Sequence, residues 1–154
     1  MTVRAWRIVK ARNGPSAFTG QGARIAGGRW NSPGVAVVYA AQSASLAMLE
    51  MLVHLPSREL LKSYVLFEMT FDESLVTTVA VEDLPAEWRW YPPSIEGQEL
   101  GDMWVTRARS AVLKLPSVVV PTEFNYLLNP LHRDFTKLTI GPEQPVEFDH
   151  RLLK

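Results

Sequence analysis

Glu50 is the residue whose surroundings ask for a chemical explanation. In "SASLAMLEMLVH" it is, from Ala44 through Pro56, the one acid or base besides His54. On a helix its i±3 and i±4 neighbours are Leu46, Ala47, Val53 and His54, so it reaches water only if a cleft opens there. An unpartnered carboxylate in an apolar interior costs many kcal/mol, so Glu50 must be paired, protonated or turned into a polar pocket. The plainer alternative is a solvent-facing residue or structural ion pair on an amphipathic helix.

Three further residue types could work beside it. Arg29 follows two glycines in "AGGRWN"; such a turn allows positive φ and close backbone approach, and Trp30 can anchor it. A guanidinium presented there suits bidentate capture of a phosphate or carboxylate, and Arg24 could share the task. An ordinary surface-loop arginine fits the same letters. Tyr39 closes the apolar run "VAVVY", where it offers either core packing or a stacking face for a ring. Ser117 stands in "KLPSVVVP" between two prolines, where a turn or capping serine is a plainer reading than a nucleophile.

Other chemistries lack support. There is no cysteine, which removes disulfides, thiolate metal sites and cysteine nucleophiles and fits a reducing cytoplasm. His54, His132 and His150 have no HExxH or similar ligand spacing, and no GxSxG elbow surrounds a serine, so no metal is expected. Lysine plus arginine equal aspartate plus glutamate at 16 each, so counterion-driven nucleic-acid binding is not expected. The opening "MTVRAWRIVKARNG" has no apolar core of signal-peptide length, and no stretch approaches about 18 unbroken apolar residues.

The elements that must position these residues read as a single α+β domain over residues 1–154. Strands are expected at Val3–Val9, Val35–Ala41, Ser63–Phe71 and Ser74–Val81, then in "AVLKL", "SVVVP", "FTKLTI" and "PVEF". Val35, Val37 and Tyr39 share one strand face. Helices are expected from a Ser43 or Ser45 cap to about His54, and within Glu96–Arg109 despite Gly97 and Gly101. "PTEFNYLLNP" reads as a turn of helix between prolines, Pro85–Pro93 as an aromatic loop, and Asn13–Gly34 as a long glycine-rich connection of the kind that is often functional. No doubly wound rhythm and no GxGxxG motif follows a strand, so a Rossmann fold is not expected.

Taken together, "GARIAGGRWNSPGVAVVYAAQSASLAMLEMLVH" and "LPSVVVPTEFNYLLNPLHRDF" resemble the RES domain family, the toxins of Res-Xre type bacterial toxin-antitoxin pairs. The resemblance runs over nearly the whole chain. It implies a fold similar to ADP-ribosyltransferase toxins, with short-stranded sheets and a few packed helices, and chemistry on NAD⁺ as substrate with no resident cofactor. The family's arginine, tyrosine, glutamate and serine fall on Arg29, Tyr39, Glu50 and Ser117, with Arg24 a further family position. On that reading Glu50 stabilises charge on the ribose, Arg29 and Arg24 hold the pyrophosphate, Tyr39 flanks the nicotinamide and Ser117 bonds near its ribose. The implied partner is an Xre-like helix-turn-helix antitoxin in a hetero-oligomeric complex. Three outcomes stay open: cleavage of NAD⁺ with water or phosphate, mono-ADP-ribosylation of a host protein, or a non-catalytic module that binds a nucleotide or the antitoxin.

Overall fold

The computed structural model describes residues 1–153. The chain runs through β1 (Thr2–Lys10), α1 (Gln21–Ala26), β2 (Val38–Ala41), α2 (Ala44–His54), β3 (Tyr64–Asp72) and β4 (Val76–Thr78). It continues with α3 (Ile95–Thr106), β5 (Val112–Pro116), β6 (Phe124–Leu128), β7 (Thr139–Ile140) and β8 (Gln144–Val146). This is the expected α+β architecture. The strands form one sheet in the order β4-β5-β6-β2-β1-β3-β7, with β8 also on β3. All pairs are antiparallel except β4 with β5.

The sheet's centre is covered on both faces, which is why its strands read as nearly unbroken apolar runs. On β5 and β6, Val112, Tyr126 and Leu128 join a cluster with Val38, Phe67 and Met69. Leu113, Leu115 and Leu127 project the other way, against Trp30, Val37 and Trp104. Each fully buried Leu or Val in these layers contributes about 1.5–3 kcal/mol. A third cluster seats α2, through Leu46 and Ala47, over Ile8 and Ala41. The shared face expected for Val35, Val37 and Tyr39 lies against the Trp30 side.

Several sequence expectations are corrected. "PTEFNYLLNP" holds no helix: Phe124–Leu128 is strand β6, paired with β2 on one edge and β5 on the other. Its period-two alternation between the two cores outweighs the flanking prolines. "SVVVP" is not a strand. Pairing stops at Pro116, and the Ser117 hydroxyl accepts the N–H groups of Val119 and Val120, each at 3.1 Å. That side chain competes with the ladder for the backbone and bends it. "FTKLTI" gives a 3-10 turn at Arg133–Lys137 and then the short β7. The glycine-rich connection is partly ordered, as a 3-10 turn at Ala11–Ser16 and helix α1.

Candidate active site

Helix α2 carries Glu50 on its last turns. Ser43 caps the helix by accepting from Leu46 N at 3.1 Å, and Leu46 and Ala47 bury one face. Glu50 is half-buried, and its Oε1 accepts a hydrogen bond from the Ser117 hydroxyl at 2.7 Å. Ser117 is fully buried. Its backbone N–H donates to Glu123 O at 2.8 Å, and its oxygen is occupied by the two N–H groups that close the turn. The hydroxyl proton therefore goes to Glu50. The bend that ends β5 thus holds a carboxylate on a helix 67 residues earlier in sequence.

Arg29 comes from the turn between α1 and β2. Gly27 adopts φ +72, and a Cβ at Gly28 would lie 2.7 Å from the Tyr39 hydroxyl, so glycine is required where the backbone passes that ring. Arg29 Nη1 donates to the carbonyls of Trp88 at 2.9 Å and Trp90 at 2.6 Å. Burial lowers its pKa, opposed by the charge of the Glu50 carboxylate. Glu50 and Arg29 therefore share one electrostatic environment.

Tyr39 fixes that turn from the sheet. Its hydroxyl donates to Asn31 Oδ1 at 2.6 Å and accepts from Trp30 N at 3.0 Å. Burial pushes its pKa well above the usual tyrosine range, so it stays protonated and donating. Arg24 lies apart: it is exposed on α1, with its side chain bonded to Gln21 at 3.3 Å.

Several supporting residues escape sequence reasoning. Asn31, fully buried, donates to the carbonyls of Ala23, Ser32 and Val35. Asp102 accepts from Ser32 N at 2.9 Å and Ser32 Oγ at 2.6 Å, and Gln98 donates to Gly28 O at 3.0 Å. Gly97 and Gly101, which counted against a helix, are what lets α3 meet this turn. A Cβ on Gly101 would collide with the Trp30 carbonyl. Their i,i+4 spacing was the available signal. Arg7 on β1 donates to Ala17 O and Tyr39 O, both at 2.8 Å, and burial lowers its pKa to about 10, so it remains charged at neutral pH. It clamps β1 to the strand that carries Tyr39.

The arrangement therefore offers a carboxylate fixed by a buried hydroxyl, and a guanidinium within its electrostatic reach carried on a hydrogen-bonded turn. A family model described as RES domain matches residues 4–149. The chain belongs to the RES domain family. Among its relatives, "Toxin Res" of Yersinia enterocolitica serotype O:8 / biotype 1B is 40% identical over 93% of each chain. The "Prs ADP-ribosylating toxin" of Sphingobium sp. (strain YBL2) is 36% identical, covering 100% of this chain and 99% of that one. In the solved M. tuberculosis MbcT-MbcA toxin-antitoxin complex, one chain superposes with a TM-score of 0.79 at 17% identity, over 96% of this chain and 85% of its own, which shows a shared fold. No helix among the described residues is long and apolar enough to cross a membrane.

Proposed function

We propose that this chain, a toxin of the Res type, cleaves NAD⁺ at the bond between nicotinamide and ribose and so arrests growth by draining the dinucleotide. The observation that carries this reading is the Glu50–Ser117 pair, with Arg29 close enough to feel the Glu50 charge. As the bond from C1′ to the nicotinamide nitrogen breaks, its electron pair leaves with the ring and nicotinamide departs neutral. Positive charge is left on the ribose, as in glycoside hydrolysis. A carboxylate already oriented there stabilises charge that develops mainly in the transition state, without reorganising at the moment of reaction. Water or phosphate then bonds to C1′ through oxygen, and its proton passes to solvent. NAD⁺ enters as substrate rather than as a resident cofactor, and Arg29 holds its diphosphate.

A specific observation favours a second acceptor for the same cleavage. The Sphingobium relative is named an ADP-ribosylating toxin of Prs, so a protein side chain could take the place of water. Purified protein mixed with NAD⁺ should release nicotinamide. Dependence of the rate on added phosphate marks phosphorolysis, and label from NAD⁺ appearing on a lysate protein marks transfer. No release under any of these conditions would reject cleavage and leave a binding module.

The partner belongs to the same proposal. The fold is shared with a chain of a toxin-antitoxin complex, and α2 shows Leu49 and Val53 to solvent on the stripe beside Glu50. Exposed apolar side chains next to a reactive site suit a protein that covers it. An Xre-like helix-turn-helix antitoxin is the expected partner, and operator binding should reside in it, because this chain has no net charge. Expressed alone in bacteria, the protein should stop growth and lower cellular NAD⁺, and co-expression of the partner should reverse both. Arrest with NAD⁺ unchanged would favour modification of one target.

A further inference from the structure

A cavity of about 650 Å³ opens between the aromatic segment and the start of α3, lined by Glu87, Trp90, Tyr91, Pro93, Ile95 and Glu96 among others. That size is within the range of small-molecule sites. Trp90 is 66% and Tyr91 80% exposed, so two large flat rings stand in solvent with no core to serve. Besides the Tyr91 hydroxyl and the Trp90 ring N–H, the polar side chains in the lining are acids and one serine, and the Ser94 hydroxyl is already taken by Gly97 N at 3.0 Å.

We infer that this cavity is the adenosine subsite of the NAD⁺ site, with Trp90 and Tyr91 stacking on the purine and Glu87 and Glu96 reading its ribose. The inference rests on the NAD⁺ reading above. Its geometric basis is Arg29, whose Nη1 donates both to Trp88 O and to Trp90 O. The described bonds of that guanidinium use Nη1 alone, leaving Nε and Nη2 for an anion. One side chain thus fixes the wall of the cavity with one nitrogen and offers its remaining donors to a diphosphate. Trp30 stacked on Trp88 at 6.4 Å braces the same wall.

Arg29 is bonded to the wall of the cavity at Trp90 O and lies within electrostatic reach of both Glu50 and Tyr91. In the inferred arrangement Glu50 serves the nicotinamide ribose, Arg29 the diphosphate, and the aromatic cavity the adenosine. A cationic peptide would also suit rings and carboxylates, but it would have to lie against the Arg29 guanidinium, which repels it. A purine is neutral and offers a π-face to Trp90 and Tyr91. Carboxylates at the ribose end accept from its hydroxyls and repel a 2′-phosphate, so the subsite should select NAD⁺ over NADP⁺.

The test uses the full chain. AMP is titrated by calorimetry into wild type, Trp90→Ala and Tyr91→Ala. Both positions are exposed, so folding should survive, and circular dichroism checks it. Each variant should weaken AMP binding about tenfold, the loss typical of a base-aromatic stack. With NAD⁺ and nicotinamide mononucleotide as alternative substrates, Trp90→Ala should lower the kcat/KM ratio of the first to the second by about the same factor. The double variant Glu87→Gln/Glu96→Gln should lose most of the preference for NAD⁺ over NADP⁺. AMP bound equally by wild type and both ring variants, or kcat/KM ratios that do not move, would overturn the subsite. Failure of the wild type to release nicotinamide would reject the cleavage reading instead, and the AMP titration would still decide this one.

Discussion

The Ser117 hydroxyl lies 2.7 Å from Glu50 Oε1 and donates to it while accepting two backbone N–H groups at 3.1 Å. With its oxygen filled and its proton committed, this fully buried serine acts through Glu50, fixing where the carboxylate points. The same two accepted bonds close the turn that ends β5, so the arrangement of the site and the end of the strand have one cause.

Ser117→Ala should therefore do two things together. It leaves the Val119 and Val120 N–H groups without their acceptor, which should cost about 1–3 kcal/mol of stability in denaturant melts. It also frees Glu50 to rotate, so kcat for nicotinamide release should fall while KM changes little. A variant destabilised to that extent but with unchanged kcat would make Ser117 a turn residue only.

Glu50→Gln separates charge from shape. The amide oxygen can still accept from Ser117, so the melting temperature should stay close to wild type. Removal of the negative charge should lower nicotinamide release by roughly 10²-fold or more. Wild-type turnover in a folded Glu50→Gln protein would remove Glu50 from the chemistry.

Arg29 holds the aromatic segment through the Trp88 and Trp90 carbonyls and feels the Glu50 charge. Arg29→Ala should weaken NAD⁺ binding in calorimetry and also loosen residues 85–93, read as faster proteolytic cleavage there. Arg29→Lys should recover the binding only in part, because an ammonium cannot bond two carbonyls and also present a planar pair of donors to a diphosphate. Equal affinity in wild type and Arg29→Ala would leave Arg29 a purely structural latch.

Tyr39→Phe tests the turn itself. Loss of the hydroxyl strips Asn31 Oδ1 and Trp30 N of a partner in a buried setting, with an expected cost of about 1–3 kcal/mol. Activity should fall as the Arg29 turn loosens. A variant as stable as wild type would show that the turn does not depend on this bond.

A pH dependence follows from Glu59. It bridges Lys10 on β1 at 2.9 Å and Lys62 at 3.1 Å, and hydrogen bonds from Lys10 and Lys62 lower its pKa from 4.5 to about 2. A depressed carboxylate pKa contributes stability above the unfolded value, and that contribution is lost as pH falls from about 4.5 toward 2. The melting temperature of wild type should drop more steeply across that window than that of Glu59→Gln. Parallel curves would mean that the two ion pairs contribute nothing to stability.

The sequence by itself determined a good deal. The α+β class, the long β1 and β3 and both main helices follow from local periodicity and capping, as with Ser43 at the start of α2. The oddity of Glu50 was legible too, because one carboxylate in an apolar helix must be paired, protonated or turned to a polar pocket or solvent. Its partner was not. Ser117 is 67 residues away, and no local pattern distinguishes a serine that bends a strand from one that starts it. "SVVVP" has every propensity of a strand, and a single side-chain oxygen taking two N–H groups overrides it. Phe124–Leu128 went the other way: prolines on both sides suggested a turn of helix, and pairing with two neighbouring strands decided for β6. Gly97 and Gly101 argue against a helix when only propensity is weighed. In the folded chain Gly97 faces the Arg29 carbonyl and Gly101 the Trp30 carbonyl, so together they are the surface on which that turn rests. Propensity and period are local energies, readable in one dimension. The bonds that fix Glu50 and Arg29 join residues 67, 59 and 61 positions apart, and they exist only once the tertiary fold has brought those segments together.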